Sequence, residues 1–184
     1  MRWQTLVLKC LGWKIEGTFP ALKKMVIIAA PHTSVWDFIN GWLALRHFGL
    51  KTRFVIKKEF FVFPFGYLLK ALGGVPVDRG NKKNNMVDQM VQHFEKNKHF
   101  YLVITPEGTR KKTKRWKKGF YLIAQKANVP IIVTKLDYGH KRLGPVKAID
   151  SSLSYNEVLR QIAECYQGVI GKKPNQFDVP HYEE

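Results

Sequence analysis

The chain has 184 residues, enough for one domain with a sizeable buried core. Hydrophobic residues make up 45% of it, which excludes an intrinsically disordered protein, and Lys and Arg number 31 against 14 Asp and Glu. The formal net charge of +17 favours a polyanionic partner: a nucleic acid, an anionic bilayer or a phosphorylated small molecule.

The first residues have the pattern of an amphipathic helix. Apolar side chains recur at helical spacing, at Trp3, Leu6, Val7, Cys10 and Leu11. We therefore expect a helix over residues 1–13 that either lies in a membrane interface or packs on the domain. No apolar run reaches the roughly 18 residues of a spanning helix, and we expect neither a membrane span nor a secretory signal.

Predicted strands and helices alternate along the rest of the chain. Short apolar runs predict strands at residues 25–30, 54–56, 75–77, 101–104 and 130–133. Helical spacing predicts helices at residues 36–48, 87–94 and 120–127, and a capping box of Ser154 and Glu157 predicts a last helix. The alternation predicts an α/β fold, with a largely parallel or mixed sheet flanked by helices. We expect a single domain over residues 1–184, of which residues 171–184 form a tail.

A histidine and an aspartate follow the first of these strands. His32 and Asp37 are five positions apart, so a continuous helix would turn them about 140° apart and a continuous strand would place them on opposite faces. They meet only if His32 lies in the loop after the strand and Asp37 lies inside the next helix. In that geometry they are a general base and its orienting acid. The alternative is two unrelated surface residues at a helix start.

Two other kinds of site fit the sequence poorly. No further His, Cys or acid stands at metal-ligand spacing from His32, so we expect no metal. Ser34 lacks the G-x-S-x-G turn that exposes a nucleophile, which disfavours a serine hydrolase. Cys10 and Cys165 lie far apart and are interpreted as small apolar residues of a reduced compartment.

Two arginines follow other predicted strands. Residues 74–79 join a glycine turn and a short strand to Arg79, and Arg is the usual residue for forked recognition of phosphate. Residues 106–110, Pro-Glu-Gly-Thr-Arg, follow the strongest strand, and Pro with Gly makes a rigid loop that carries Glu107 and Arg110 to the same sheet edge. Taken singly, each segment is equally a turn with solvated charges.

Together and in this order, the three segments resemble the motif blocks of the glycerolipid acyltransferase family, whose best-known members acylate lysophosphatidic acid. The family's first block is a His and an Asp separated by four residues, matched by His32 and Asp37. Its second is a Gly-containing segment closed by Arg, matched by residues 74–79, and its third, Pro-Glu-Gly-Thr-Arg, is matched without change by residues 106–110. A fourth, an apolar Val-Pro segment, resembles residues 129–132.

The resemblance implies a reaction and a role for each matched residue. His32 would take the proton of an acceptor hydroxyl so that its oxygen attacks a thioester carbonyl, and Asp37 would hold the imidazole's tautomer, with no acyl-enzyme and no cofactor. The donor would be acyl-CoA or acyl carrier protein, and the acceptor a lysophospholipid, foremost 1-acylglycerol-3-phosphate. The acceptor's phosphate would be bound by Arg79, Glu107, Gly108, Thr109 and Arg110.

The resemblance also implies where the acyl chain and the enzyme itself lie. Pro130 would belong to the acyl or donor pocket. The very apolar stretch from Phe60 to Leu72 would carry or cover the acyl chain, and a core helix is the equal alternative. As an enzyme of phospholipid biosynthesis, the protein would be cytoplasmic and bound peripherally to the inner face of the membrane.

A basic run follows Arg110 directly. It comprises Lys111, Lys112, Lys114, Arg115, Trp116, Lys117 and Lys118. An anionic membrane surface attracts such a run, with about 1 kcal/mol for each Lys or Arg near charged lipid, and we expect it to dock the mouth of the site on anionic lipid. Basic residues beside an aromatic are also typical of nucleic-acid binders, and a solvated loop is the third alternative.

Two other functions stay open at this point. A basic α/β module for nucleic acid explains the charge but gives no role to Asp37 or Glu107, because acids near a phosphate backbone repel it. We therefore expect no nucleic-acid partner. An acyltransferase for an aminolipid or another hydroxylated lipid would keep the same chemistry with a different acceptor.

Overall fold

A buried apolar strand forms the centre of the sheet. Residues Lys24–Ala30 pair in parallel with Phe100–Ile104 on one side and with Ile131–Asp137 on the other. A strand covered on both faces has no polar alternation, which is why this segment is a continuous apolar run in the sequence. The structure is a computed structural model that describes residues 2–77 and 86–183.

The described residues form seven strands, six α-helices and two short 3-10 helices. The strands are β1 Lys14–Ile15, β2 Lys24–Ala30, β3 Thr52–Lys57, β4 Gly74–Val77, β5 Phe100–Ile104, β6 Ile131–Asp137 and β7 Arg142–Ile149. The α-helices are α1 Trp3–Cys10, α2 Val35–His47, α3 Phe65–Leu72, α4 Met86–Lys96, α5 Gly119–Lys126 and α6 Tyr155–Cys165. The 3-10 helices are Lys58–Phe60 and Pro174–Gln176.

The strands make one mixed sheet in the order β1-β7-β6-β2-β5-β3-β4, in which β6 and β7 pair antiparallel and the other neighbours pair in parallel. The α/β fold expected from the sequence is confirmed. Strands β2 to β6 all end at one edge of the sheet, called here the carboxyl edge. Loops at such an edge are where open α/β sheets bind ligands.

Helices cover both faces of the sheet. Alternate residues of β2 point to opposite faces, so Met25 and Ile27 pack with Leu45 of α2, while Val26 and Ile28 lie in the larger cluster with α4, α5 and α6. Packing on both faces fixes the position of β2 in the sheet and therefore the position of the loop that follows it. None of the helices in the described part of the chain is long and apolar enough to cross a membrane.

The first helix turns its apolar stripe outward. Helix α1 packs on α2 through Thr5 and Leu8, and Arg2 donates to the carbonyl oxygens of Arg46 and His47 at 3.0 and 2.9 Å. The apolar stripe, expected either to lie in a membrane interface or to pack on the domain, stays exposed at Trp3, Leu6, Val7, Cys10 and Leu11. The helix therefore packs on the domain and still presents an apolar face.

Two terminal or connecting segments differ from expectation. The stretch from Phe60 to Leu72 is no core helix, because α3 buries Gly66 alone and leaves most of its other residues exposed. That alternative is wrong. The segment predicted as a tail packs Phe177, Val179 and Tyr182 against the larger core cluster.

Candidate active site

A capping box at the start of α2 sets the shape of the loop that carries His32. Ser34 is the N-cap in extended backbone, and Asp37 in the first helical turn reaches back to it. One oxygen of Asp37, Oδ2, accepts from the backbone N–H of Thr33 at 2.5 Å and of Ser34 at 2.7 Å. The loop from β2 into α2 is therefore tied to the carboxylate at two consecutive amides.

The imidazole of His32 and the carboxylate of Asp37 face each other across this junction. Nδ1 of His32 lies 4.0 Å from Oδ2 of Asp37, with the side chains 23% and 4% exposed. At 4.0 Å the contact is electrostatic and too long for a hydrogen bond, as is common for catalytic pairs without substrate. Because Nδ1 is the nitrogen nearest Asp37, Nε2 is the one available to a ligand.

The environment keeps the imidazole of His32 neutral. Burial lowers its pKa below the ordinary 6.5, Asp37 opposes that effect, and the guanidinium of Arg110 lowers the pKa further. A neutral imidazole at neutral pH is able to take a proton. The influence of Arg110 also shows that the third motif lies close to the first.

Glu107 is buried beneath the loop of His32. It follows β5, which neighbours β2, and its Oε1 accepts from the backbone N–H of His32 at 2.8 Å. The residue is 3% exposed. Burial raises the pKa of its carboxyl to about 7, against the hydrogen bond from His32, and the charge of Asp37 raises it further. Glu107 thus positions the histidine's backbone, a contact that the sequence had not indicated.

Glu107→Gln is expected to remove a pH-dependent loss of stability. The folded-state pKa lies above the ordinary 4.5, so the folded chain holds this proton more tightly and its stability falls as pH rises from about 4.5 to about 7. The full penalty, of about 3 kcal/mol, applies above that window. Gln keeps the acceptor for His32 and carries no charge.

Urea unfolding of both proteins at about pH 5 and about pH 8 measures the effect. Wild type should lose stability between the two values and Glu107→Gln should lose less, by about 1–3 kcal/mol. The exposed Glu95→Gln provides the matched control. Parallel pH profiles for wild type and Glu107→Gln would contradict the assignment.

The remainder of the third motif forms a tight exposed turn. Gly108 donates its N–H to the carbonyl of Thr105 at 3.1 Å and has a φ of +66°, a left-handed backbone conformation that glycine adopts without strain. Thr109 Oγ1 accepts from the N–H of Lys111 at 3.1 Å, and Arg110 is exposed. Strand β4 ends at Val77 on the same edge, and Arg79, predicted to bind phosphate, lies outside the described residues.

The basic run is exposed at six of its seven positions. The exposed residues are Lys111, Lys112, Lys114, Arg115, Lys117 and Lys118. Trp116 is the exception: it is 6% exposed and packs on Tyr166, 5.6 Å between ring centroids. The prediction that Trp116 lies at the membrane surface is wrong. Its apolar ring is buried in the core, although the basic residues on either side of it are exposed.

Pro130 does not join this cluster. It precedes β6, and its carbonyl accepts from the N–H of Val26 near the start of β2. His32 stands six residues beyond Val26, which corresponds to roughly 20 Å along the strand. The structure therefore places Pro130 at the edge of the sheet opposite the carboxyl edge.

Tyr138 and Asn40 complete the surroundings of Asp37. The hydroxyl of Tyr138 donates to Oδ1 of Asp37 at 2.8 Å, and the side-chain amide of Asn40 donates to that hydroxyl at 3.1 Å. Sequence reasoning missed both residues. Tyr138 directly follows β6, the neighbour of β2, so a correctly placed end of β6 would have pointed to it.

The two hydroxyl residues beside His32 serve the backbone. The Ser34 side chain accepts from the N–H of Trp36 at 3.3 Å, and Thr33, 1% exposed, accepts at Oγ1 from the N–H of Lys173 at 3.2 Å. Among residues 2–77 and 86–183, no group of three His, Cys, Asp or Glu residues could hold a metal ion.

Comparison with known proteins identifies the family. A model of the acyltransferase family matches residues 13–134, more than half of the chain. The chain belongs to the acyltransferase family. The resemblance found in the motif blocks is thereby confirmed, and the match includes His32, Asp37, Glu107 and Arg110 but ends before Tyr138.

The fold of this acyltransferase is similar to that of the 1-acyl-sn-glycerophosphate (LPA) acyltransferase PlsC from Thermotoga maritima. The TM-score is 0.61, with 19% sequence identity, over 88% of this chain and 72% of that chain. At this identity the likeness concerns the fold alone. No curated protein matches the chain.

Proposed function

We propose that this acyltransferase moves a fatty acyl group from a thioester, acyl-CoA or acyl carrier protein, to a hydroxyl of a lysophospholipid. The acceptor we expect is 1-acylglycerol-3-phosphate, in phospholipid biosynthesis. The observation that carries the proposal is the imidazole of His32, 4.0 Å from the carboxylate of Asp37 at the carboxyl edge, with the guanidinium of Arg110 near enough to lower its pKa.

The chemistry follows from the free nitrogen of the imidazole. Nε2 of His32 takes the proton of the acceptor hydroxyl as its oxygen bonds to the thioester carbonyl carbon. The imidazolium that forms is stabilised by Asp37, 4.0 Å away. Collapse of the tetrahedral intermediate breaks the carbon–sulfur bond, and the departing thiolate receives the proton. The products are an ester and a free thiol, with no covalent acyl-enzyme.

The acceptor's phosphate is the reason for placing Arg110 in the binding site. A guanidinium makes forked, charge-assisted contacts with phosphate, and Arg79 is proposed to supply a second one. The six exposed basic residues that follow Arg110 would concentrate anionic lipid at the mouth of the site. We propose on this basis that the enzyme works at the anionic inner face of the cytoplasmic membrane.

The buried acids argue against the nucleic-acid alternative. Asp37 and Glu107 are 6% and 3% exposed, and both are bonded to the loop of His32, so they serve a site rather than a phosphate-backbone surface. An acyltransferase for a phosphate-free lipid is the alternative that acceptor profiling tests.

Arg110→Gln is expected to raise the KM for a phosphate-bearing acceptor by about tenfold or more, since a charge-assisted contact contributes about 1.5–3 kcal/mol. The assay uses labelled acyl donors and a panel of short-chain, water-soluble acceptors with and without phosphate. Arg115→Gln, an exposed arginine in the same run, is the matched control. An equal rise in KM on phosphate-free acceptors would contradict the role of Arg110, and no transfer to any acceptor by wild type would contradict the proposed function.

A further inference from the structure

The connection from β3 through α3 carries a dense group of exposed apolar side chains. Within residues 60–68, called here the aromatic segment, the exposed fractions are 61% for Phe60, 58% for Val62, 85% for Phe63, 65% for Phe65, 71% for Tyr67 and 58% for Leu68. Single exposed apolar residues are ordinary on protein surfaces, but a contiguous group of this size marks an interaction surface.

The aromatic segment lies at the same edge of the sheet as the active site. Strand β3 ends at Lys57, and its parallel neighbour β5 separates it from β2, whose carboxyl end leads to His32. Two strand spacings correspond to roughly 10 Å. The segment therefore begins beside the mouth of the site rather than on a remote surface.

The shape and charge of the segment are suited to a bilayer. Phe63 and Tyr67 touch edge to face, 6.3 Å between ring centroids, so the two most exposed rings project as one unit. Over residues 57–72 the charged residues are Lys57, Lys58, Glu59 and Lys70, all exposed, which gives a positive border to an apolar centre. Aromatic side chains with basic neighbours are favoured where an apolar phase meets anionic headgroups.

We propose that the aromatic segment inserts into a bilayer containing anionic phospholipid and orients the mouth of the site towards the lipid. The inference rests on the proposed function, because a lysophospholipid acceptor resides in the bilayer and has to enter at the carboxyl edge. The net charge of +17 attracts the protein to the anionic membrane surface, and insertion of the apolar side chains then stabilises the bound state.

The test is co-sedimentation with vesicles of mixed phosphatidylcholine and phosphatidylglycerol, at low salt and at about 1 M salt, where charge attraction is screened. Phe63→Gln with Tyr67→Gln removes two exposed rings without changing charge and is expected to weaken binding about tenfold or more, with most of the loss remaining at high salt. Trp3→Gln with Leu6→Gln, two exposed apolar residues of α1, is the matched comparison and should weaken binding less than the Phe63/Tyr67 change does.

Unchanged binding by the Phe63/Tyr67 variant would overturn the inference. So would sedimentation showing that the segment joins two copies of the chain, with wild type a dimer, the variant a monomer and vesicle binding equal. Thermal unfolding of both variants establishes that they are folded. Failure of the proposed function looks different: wild type would bind vesicles through the segment yet transfer no acyl group to any acceptor.

A second readout links docking to catalysis. The ratio of turnover on a vesicle-borne acceptor to turnover on a water-soluble one should fall about tenfold in the Phe63/Tyr67 variant, in step with vesicle binding. A ratio equal to that of wild type would contradict the proposed orientation.

Discussion

His32→Ala is expected to lower kcat by about 10²- to 10⁴-fold, because the acceptor hydroxyl loses its general base. The loop is held by the backbone N–H of His32, which donates to Glu107 and survives the substitution. The fold should therefore remain. Turnover at saturating donor and acceptor measures the effect, and circular dichroism with thermal unfolding checks the fold.

His99→Ala controls for the loss of a histidine, since His99 is exposed and precedes β5 at the opposite edge of the sheet. It should match wild type. If His32→Ala keeps more than about a tenth of wild-type kcat while folded, His32 does not act as the general base.

Asp37→Asn is expected to lower kcat by about 10²- to 10⁴-fold as well, because the amide no longer stabilises the imidazolium formed at His32. It should also destabilise the protein by about 1–2 kcal/mol, since the carboxylate accepts from two loop amides as an N-terminal cap and from the hydroxyl of Tyr138. Turnover and urea unfolding are measured on the same preparation.

Asp88→Asn is the control that shows whether the losses of kcat and of stability are specific to Asp37. Asp88 is an acid in the first turn of α4 and pairs with Lys126 at an exposed site, so its loss should cost little stability and no activity. A folded Asp37→Asn protein with wild-type kcat would show that Asp37 is a cap and nothing more.

The sequence was sufficient to predict those parts of the structure for which local sequence signals agree with the fold. The apolar run of β2 and the helical spacing that begins at residue 36 placed between them the junction that brings His32 and Asp37 together. Alternation of short apolar runs with helical patterns was sufficient for the α/β class. These features depend on neighbouring residues in the chain, so a single sequence contains them.

The sequence patterns did not predict contacts between residues that lie far apart in the chain. Tyr138 stands 101 residues from Asp37, and the predicted strand of residues 130–133 stopped short of the real end of β6 at Asp137. Strands β1 and β7 were missed because β1 has two residues and β7 contains Gly144 and Pro145, which are poor strand formers.

Exposure was also difficult to predict from composition. Trp116 lies in a basic run yet packs on Tyr166, and Phe65, Tyr67 and Leu68 of α3 are exposed although a core helix was one of the two alternatives for that stretch. In both cases the neighbouring elements decide which side of the chain is covered, and a local pattern does not include them.

The pH dependence of kcat/KM tests the central claim, that neutral His32 is the base, most directly. Wild type should lose activity as pH falls through a pKa below 6.5, and Arg110→Gln should move this acid limb to higher pH, because removing a nearby cation raises the pKa of His32. An acid limb at the same pH in both proteins, or an acid limb above about pH 6.5 in wild type, would contradict the account.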